Sequence, residues 1–249
     1  MHSFLMVGQS NMAGRGFPKE VEPLKNSNVY VLRTGRWCPM YVPVNPDRPK
    51  AGISLSESFA DAYEKKHGVK VGLVPSADGG TCLDQWAPGG VLFDNAVFQA
   101  KLAMRSSELV GILWHQGEGD CREERHPLYF EKCMHIMRTM REELGLPSVP
   151  IILGGLGDFL AERTVEPEHC LGNYTKVNDA LARMAAELPR CRFVSAVGLS
   201  SNPDLLHFSA GSLREFGLRY FEAFEELGTV TDGKSYDGSA VEMSSMERL

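Results

Sequence analysis

The sequence predicts a doubly wound α/β protein, a largely parallel sheet with helices on both faces, and three observations predict it. Short apolar, β-branched runs recur without clean polar alternation, which is how strands buried on both faces read. Stretches with helical apolar spacing lie between those runs. The 249-residue chain, 43% hydrophobic and 23% charged, is long enough for one substantial core, and nothing in its middle reads as a linker.

The strand-like runs are residues 4–7, 29–32, 69–75, 109–114, 149–153 and 192–197. After the second, residues 35–53 are rich in Pro, Arg and Trp and are expected to form a long irregular loop over one end of the sheet. The stretch "SLSESFADAYEKKH" at 54–67 then places Leu55, Phe59, Ala62 and Tyr63 on one helical face, with Gly68 as a stop. Residues 93–104 and 129–144 repeat this pattern, the second ending at Gly145 with Pro147 beyond. Residues 173–188 put Val177, Leu181, Met184 and Leu188 on one stripe before Pro189. We therefore expect one domain over residues 1–227. Residues 228–249, polar and aperiodic, are expected as a flexible C-terminal tail.

Composition excludes several function classes. A net charge of -6 repels nucleic acid and anionic membranes rather than gathering them, and a small neutral or weakly charged substrate fits better. The six cysteines form no C-x-x-C pair and have no matching histidine spacing, so no zinc site or redox dithiol is expected. Free thiols in a reducing compartment are the default. No basic segment or small-residue cleavage site precedes the first strand, so the expectation is a cytoplasmic protein without a signal peptide. The mature part of a secreted protein would read the same. No apolar run approaches the ~20 residues of a membrane helix. The sequon at Asn173 is read as chance, and oligomeric state has no signature here.

In such a sheet ligands bind outside the carboxyl ends of the strands, so the segments that follow the strands are the ones to inspect. The first strand runs into Gly8-Gln9-Ser10-Asn11-Met12-Ala13-Gly14. A serine there caps helices more often than it attacks substrates. Its flanking glycines, however, permit a tight exit and a close approach, which a presented nucleophile requires. This is not the G-x-S-x-G elbow. The third run ends in Asp78-Gly79-Gly80-Thr81, which is either a turn or a way to expose a backbone N–H to an oxyanion. Trp86, set among Gln85, Pro88, Gly89 and Gly90, reads as a loop aromatic able to stack on a sugar, or as core.

"ILWHQGEGD", 112–120, carries a buried strand straight into His115, Gln116, Glu118 and Asp120, more polar groups than core packing accommodates. The neutral amide of Gln116 suits donation to an oxyanion. Glu118 and Asp120 also fit as caps for the next helix, and His115 reads equally as structural or catalytic. Finally, "SNPDLLHFS" holds Asp204 and His207 three residues apart, a spacing that lets a carboxylate orient an imidazole. Alone that pair is weak, but with an exposed serine and two oxyanion donors it completes a hydrolase constellation.

These four segments together resemble the SGNH hydrolase superfamily, in its sialate O-acetylesterase and acetylxylan esterase branch, in the right order from the first strand to about residue 224. The resemblance implies a flavodoxin-like three-layer α/β/α sandwich and metal-independent deacetylation of carbohydrates, with no cofactor. It also implies Ser10 as nucleophile, His207 as general base and Asp204 as its orienting acid. The oxyanion hole would comprise the N–H groups of Ser10 and Gly80 and the Gln116 side chain, with Gly79 as the other option for the glycine donor. Gln9, Asn11, Trp86 and Glu118 are candidate substrate contacts. Gly119 departs from the family's "HQGESD", where a small polar residue is expected. The alternatives are a lipase-like or thioesterase relative and a catalytically silent carbohydrate-binding homologue. No G-x-G-x-x-G or Walker sequence follows a strand, which disfavours a nucleotide site. A sialic acid substrate calls for a cation, from Arg15, Arg33, Arg36, Arg48 or Arg163. Xylan calls for an aromatic groove, from Trp37, Tyr41 or Trp86.

Overall fold

The computed structural model describes residues 1–163 and 171–228. The strands are β1 (His2–Gly8), β2 (Val29–Arg33), β3 (Arg36–Pro39), β4 (Val71–Pro75), β5 (Glu108–His115), β6 (Ile151–Gly154) and β7 (Cys191–Val194). They form one sheet in the order β3-β2-β4-β1-β5-β6-β7, parallel throughout except for the β2–β3 pair. Within it, β4-β1-β5-β6-β7 has the 2-1-3-4-5 order of a flavodoxin-like sheet, and β2 and β3 widen the β4 edge. The carboxyl ends of β4, β1 and β5 lie side by side, so the loops after them meet.

The helices are α1 (Ser10–Ala13), α2 (Leu55–His67), α3 (Val91–Ala103), α4 (Tyr129–Leu144), α5 (Tyr174–Glu187) and α6 (Ala210–Leu227). On one face α2 packs against α6, and Phe4 of β1 meets Phe59, Tyr63 and Phe224 edge-on at 4.7, 4.9 and 5.3 Å. Such aromatic geometry adds to the burial of the rings themselves. The second helical layer is α3, α4 and α5, packed in succession. Ser54 caps α2 reciprocally with Glu57, and Gly68 and Gly145 end α2 and α4 in the left-handed conformation.

Two elements differ from the sequence expectation. Part of the stretch expected to be irregular, 35–53, is the edge strand β3, turned back from β2 through Thr34 and Gly35, both at positive φ. Two such residues make the tight hairpin turn that matches strand twist. Helix α6 was not foreseen. Its buried Ala210, Leu213, Phe216, Gly217, Tyr220 and Phe224 have helical spacing, but two glycines lower its intrinsic propensity. Gly217 is there for contact: a Cβ would lie 2.1 Å from the Leu55 carbonyl oxygen. From residue 229 on, the expected tail lies outside the described residues, as does Cys170.

No helix among the described residues is long and apolar enough to cross a membrane. No group of three or more metal-ligating side chains is gathered there either.

Candidate active site

Ser10 opens α1 directly after β1 and is 6% exposed. The turn needs glycine before it. Gly8 has φ +130°, and a Cβ there would sit 2.1 Å from the carbonyl oxygen of His115 on the paired strand. Ser10 Oγ lies 3.0 Å from His207 Nε2, and His207 Nδ1 lies 2.6 Å from Asp204 Oδ2. The other Asp204 oxygen accepts the N–H groups of Leu206 and His207, both at 3.0 Å. Burial alone would push the Asp204 carboxyl up, but these N–H groups and the imidazole outweigh it and hold the carboxyl below the usual range. An ionised Asp204 fixes the proton on Nδ1, which leaves Nε2 to accept from the serine hydroxyl.

The two glycines of the loop after β4 differ in their hydrogen bonding. Gly79 N–H donates to Asp47 Oδ2 at 2.8 Å and is spent. Gly80, at φ +82° with open space where a Cβ would stand, donates no hydrogen bond among the described residues, and neither does the Ser10 N–H at the start of α1. The first-turn N–H groups of a helix lack intrahelical partners in any case.

Four expected contacts prove to be internal. Gln116 is fully buried, and its amide nitrogen donates to Thr81 O at 3.2 Å and Asp120 Oδ2 at 2.6 Å. Both N–H groups are therefore committed, which corrects the expectation of a donor waiting for an oxyanion. Trp86 is also fully buried, edge-on to Trp114 at 5.5 Å, and its Nε1–H donates to Thr81 Oγ1 at 3.1 Å. It has no face left for a sugar. Asn11 is 1% exposed: its amide nitrogen donates to Glu118 Oε1 at 2.5 Å and Leu206 O at 3.2 Å, and its oxygen accepts Phe208 N–H at 3.1 Å. It thus ties the turn of Ser10 to both neighbours of His207. Glu118 lies under this clamp, 3.4 Å from His115 Nε2. Burial pushes its carboxyl up, but His115 and the bonds from its own N–H and from Asn11 prevail and keep it below the usual range. His115 itself sits edge-on to Phe208 and Phe216, a structural position.

Gln9, 4% exposed, accepts the Gly117 and Gly119 N–H groups at 3.3 and 3.4 Å, and its amide nitrogen has no partner among the described residues. Gly119, the departure from the family pattern, lets two loops touch, since a Cβ there would fall 2.6 Å from Thr81 O. Of the candidate cations, Arg15 is buried against Asp47 and Arg33 is bonded to the carbonyls of Pro43 and Val44. Arg48 is exposed, paired with Asp78 at 2.6 Å and bonded to Gly79 O at 3.1 Å. Trp37 packs on Gly72 and donates to Ser106 Oγ, while Tyr41 is exposed.

Sequence reasoning missed Asn45 and Asp47, which grip the loop after β4. Their one signal was a polar Asn-Pro-Asp-Arg tetrad inside a segment otherwise read as covering loop.

A three-layer α/β sheet whose central strand ends feed one polar cluster is an architecture of ester hydrolases, and comparison with known proteins narrows it. The chain belongs to the carbohydrate esterase, sialic acid-specific acetylesterase family, whose model matches residues 1–226. A probable carbohydrate esterase of Arabidopsis thaliana is 28% identical over 247 residues, spanning 89% of each chain. A crystal structure from Arabidopsis thaliana superposes with a TM-score of 0.79 at 27% identity, covering 90% of this chain and 98% of that one. NanS superposes at 0.74 with 16% identity, covering 90% and 96%. A carbohydrate acetylesterase of Xanthomonas citri gives 0.67 with 18% identity, covering 90% of this chain and 56% of that one. These last two likenesses carry the fold alone. Family membership makes the protein a carbohydrate esterase.

Proposed function

We propose that the protein removes O-acetyl groups from carbohydrates through an acetyl-enzyme on Ser10. The observation that carries this reading is the continuous chain from Ser10 Oγ to His207 at 3.0 Å and on to Asp204 at 2.6 Å, beside two unspent backbone N–H groups. The family's description supports acetate as the acyl group.

Ser10 Oγ attacks the acetyl carbonyl carbon while His207 Nε2 takes the hydroxyl proton. The resulting oxyanion is stabilised by the N–H groups of Ser10 and Gly80. Gln116 contributes indirectly by holding Thr81, the residue next to Gly80. The C–O bond to the sugar then breaks, and the departing sugar oxygen takes the proton from Nε2. Water repeats the sequence on the acetyl-enzyme: Nε2 accepts its proton, the hydroxyl oxygen bonds to the acyl carbon, and acetate leaves as Ser10 Oγ regains the proton. Asp204 keeps the imidazole oriented and stabilises its charged form throughout.

Acetate release should be measured side by side on 9-O-acetylated sialic acid and acetylated xylo-oligosaccharides, and p-nitrophenyl esters of rising chain length will report acyl preference. Ser10→Ala is expected to lose at least about 10³-fold in kcat while keeping the wild-type melting temperature. Wild-type activity in folded Ser10→Ala refutes the nucleophile, and a preference for long acyl chains refutes the acetylesterase.

A further inference from the structure

The loop that carries Gly80 is held from outside by residues 45–48. Asn45 brackets Ala77, accepting its N–H and donating to its carbonyl, both at 3.0 Å. Asp47 accepts the Gly79 N–H at 2.8 Å. Arg48 holds Asp78 and the Gly79 carbonyl. The Asp47 carboxylate is itself fixed by a two-point pair with Arg15, Nη1 to Oδ1 at 3.0 Å and Nη2 to Oδ2 at 2.7 Å, and Arg15 Nη1 also reaches Gly14 O at 2.8 Å. Both side chains of the pair are 3% exposed.

A buried ion pair is weak evidence of stabilisation, because desolvation offsets most of the attraction. This one lies where three parts of the site meet. A Cβ on Gly79 would fall 2.4 Å from Arg15 Nη2, 2.8 Å from Asp47 Oδ2 and 3.4 Å from Ser10 Cβ.

We propose that Asp47, held by Arg15, is a positioning residue for the oxyanion hole: by taking the Gly79 N–H it fixes that peptide and leaves the next N–H, of Gly80, as the donor to the oxyanion. The proposal rests on the reading of Ser10 as nucleophile and Gly80 as donor, and it specifies what selects one glycine over its neighbour. The bidentate geometry matters, since a single-point partner would let the carboxylate turn away from Gly79. Arg15 is thereby assigned to the protein's interior and not to a substrate carboxylate.

Two double variants of the full chain separate this role from bulk stability. Arg15→Met/Asp47→Ala removes both charges together, so no unpaired charge is buried, but it frees the Gly79 N–H. Arg15→Met/Asp47→Asn removes the same charges and keeps an amide oxygen for that N–H. With p-nitrophenyl acetate, the first is expected to lose about 10²-fold in kcat with KM within about threefold, and the second to recover at least about tenfold of it. A folded Arg15→Met/Asp47→Ala with wild-type kcat, or equal impairment of the two, overturns the proposal.

Amide hydrogen exchange on the wild-type protein needs neither variant to fold. The Gly79 amide is expected to be protected and the Gly80 amide to exchange freely. The reverse order overturns the assignment. Exchange also keeps the two readings apart: if Ser10→Ala proved fully active, the catalytic reading would fail while the protection of Gly79 still tested the clamp.

Discussion

Replacing Asn11 by Ala tests whether the residue beside the nucleophile holds the base in place. The substitution removes three hydrogen bonds: Glu118 Oε1 loses its 2.5 Å donor, Leu206 O its 3.2 Å donor, and Phe208 N–H its 3.1 Å acceptor. A buried polar group left unpaired costs about 1–3 kcal/mol. The Leu206 bond is long and only part-buried, and Glu118 keeps His115 at 3.4 Å, so the expected loss is roughly 3 kcal/mol rather than the sum of three maxima. A lower urea midpoint at unchanged m reads that loss. The catalytic consequence is separate. Leu206 and Phe208 flank His207, and a base displaced by about 1 Å from its partner costs on the order of 10²-fold in turnover. The reasoning is refuted if folded Asn11→Ala keeps kcat within about threefold of wild type, or if its stability changes by less than about 0.5 kcal/mol. Asn11→Asp gives a second reading. It preserves the acceptor for Phe208 but sets a carboxylate against Glu118, and two adjacent carboxylates raise one pKa above its unfolded value. That variant should be least stable near neutral pH and should regain stability as the pH falls and the pair takes up a proton.

Asp204→Asn is expected to cost less in kcat than His207→Ala, because it disturbs orientation and charge stabilisation while the base remains. Steady-state kinetics on an aryl acetate decide the order, and since Glu118 has no bond to His207, the opposite result would leave the site's acid unassigned. Asp204 is held below the usual carboxylate range, so its contribution to stability is present above its unfolded value and is lost only as the pH falls through the depressed folded one. The difference in melting temperature between wild type and Asp204→Asn should therefore narrow as the pH falls through that range. Gly8→Ala forces a Cβ to 2.1 Å from a carbonyl oxygen of the central sheet and should cost at least about 3 kcal/mol, read as a lowered melting temperature. Gly80→Ala, also at positive φ but in open space, should cost only about 1–2 kcal/mol.

Much of the architecture was legible because it depends on local period. The run at 4–7 lies inside β1, the run at 109–114 inside β5, and the periodic stretch 129–144 coincides with α4. Elements were missed where a distant partner outweighs local propensity. Gly217 weakens α6 as a helix yet is required where α6 crosses α2, and β3 is a strand only because β2 lies beside it. The same division runs through the site. The pairing of Asp204 with His207 is a contact across three residues and is written in their spacing. The roles of Trp86 and Gln116 were misread because a loop tryptophan and an amide at a strand end look equally available from sequence. Only packing shows that Thr81 and Asp120 already engage them.

The sequence by itself thus determined the layered α/β class, the strand ends that carry polar groups and the residue types brought to each. Tertiary structure alone decided which of those groups face one another and which are spent. Ser10 and His207 are 197 residues apart and meet at 3.0 Å, and Asp47 reaches across 32 residues to take the Gly79 N–H. The physical reason is that a hydrogen-bonding group has only a few N–H donors or lone pairs to offer, and folding commits them to whichever partner the sheet brings within about 3 Å.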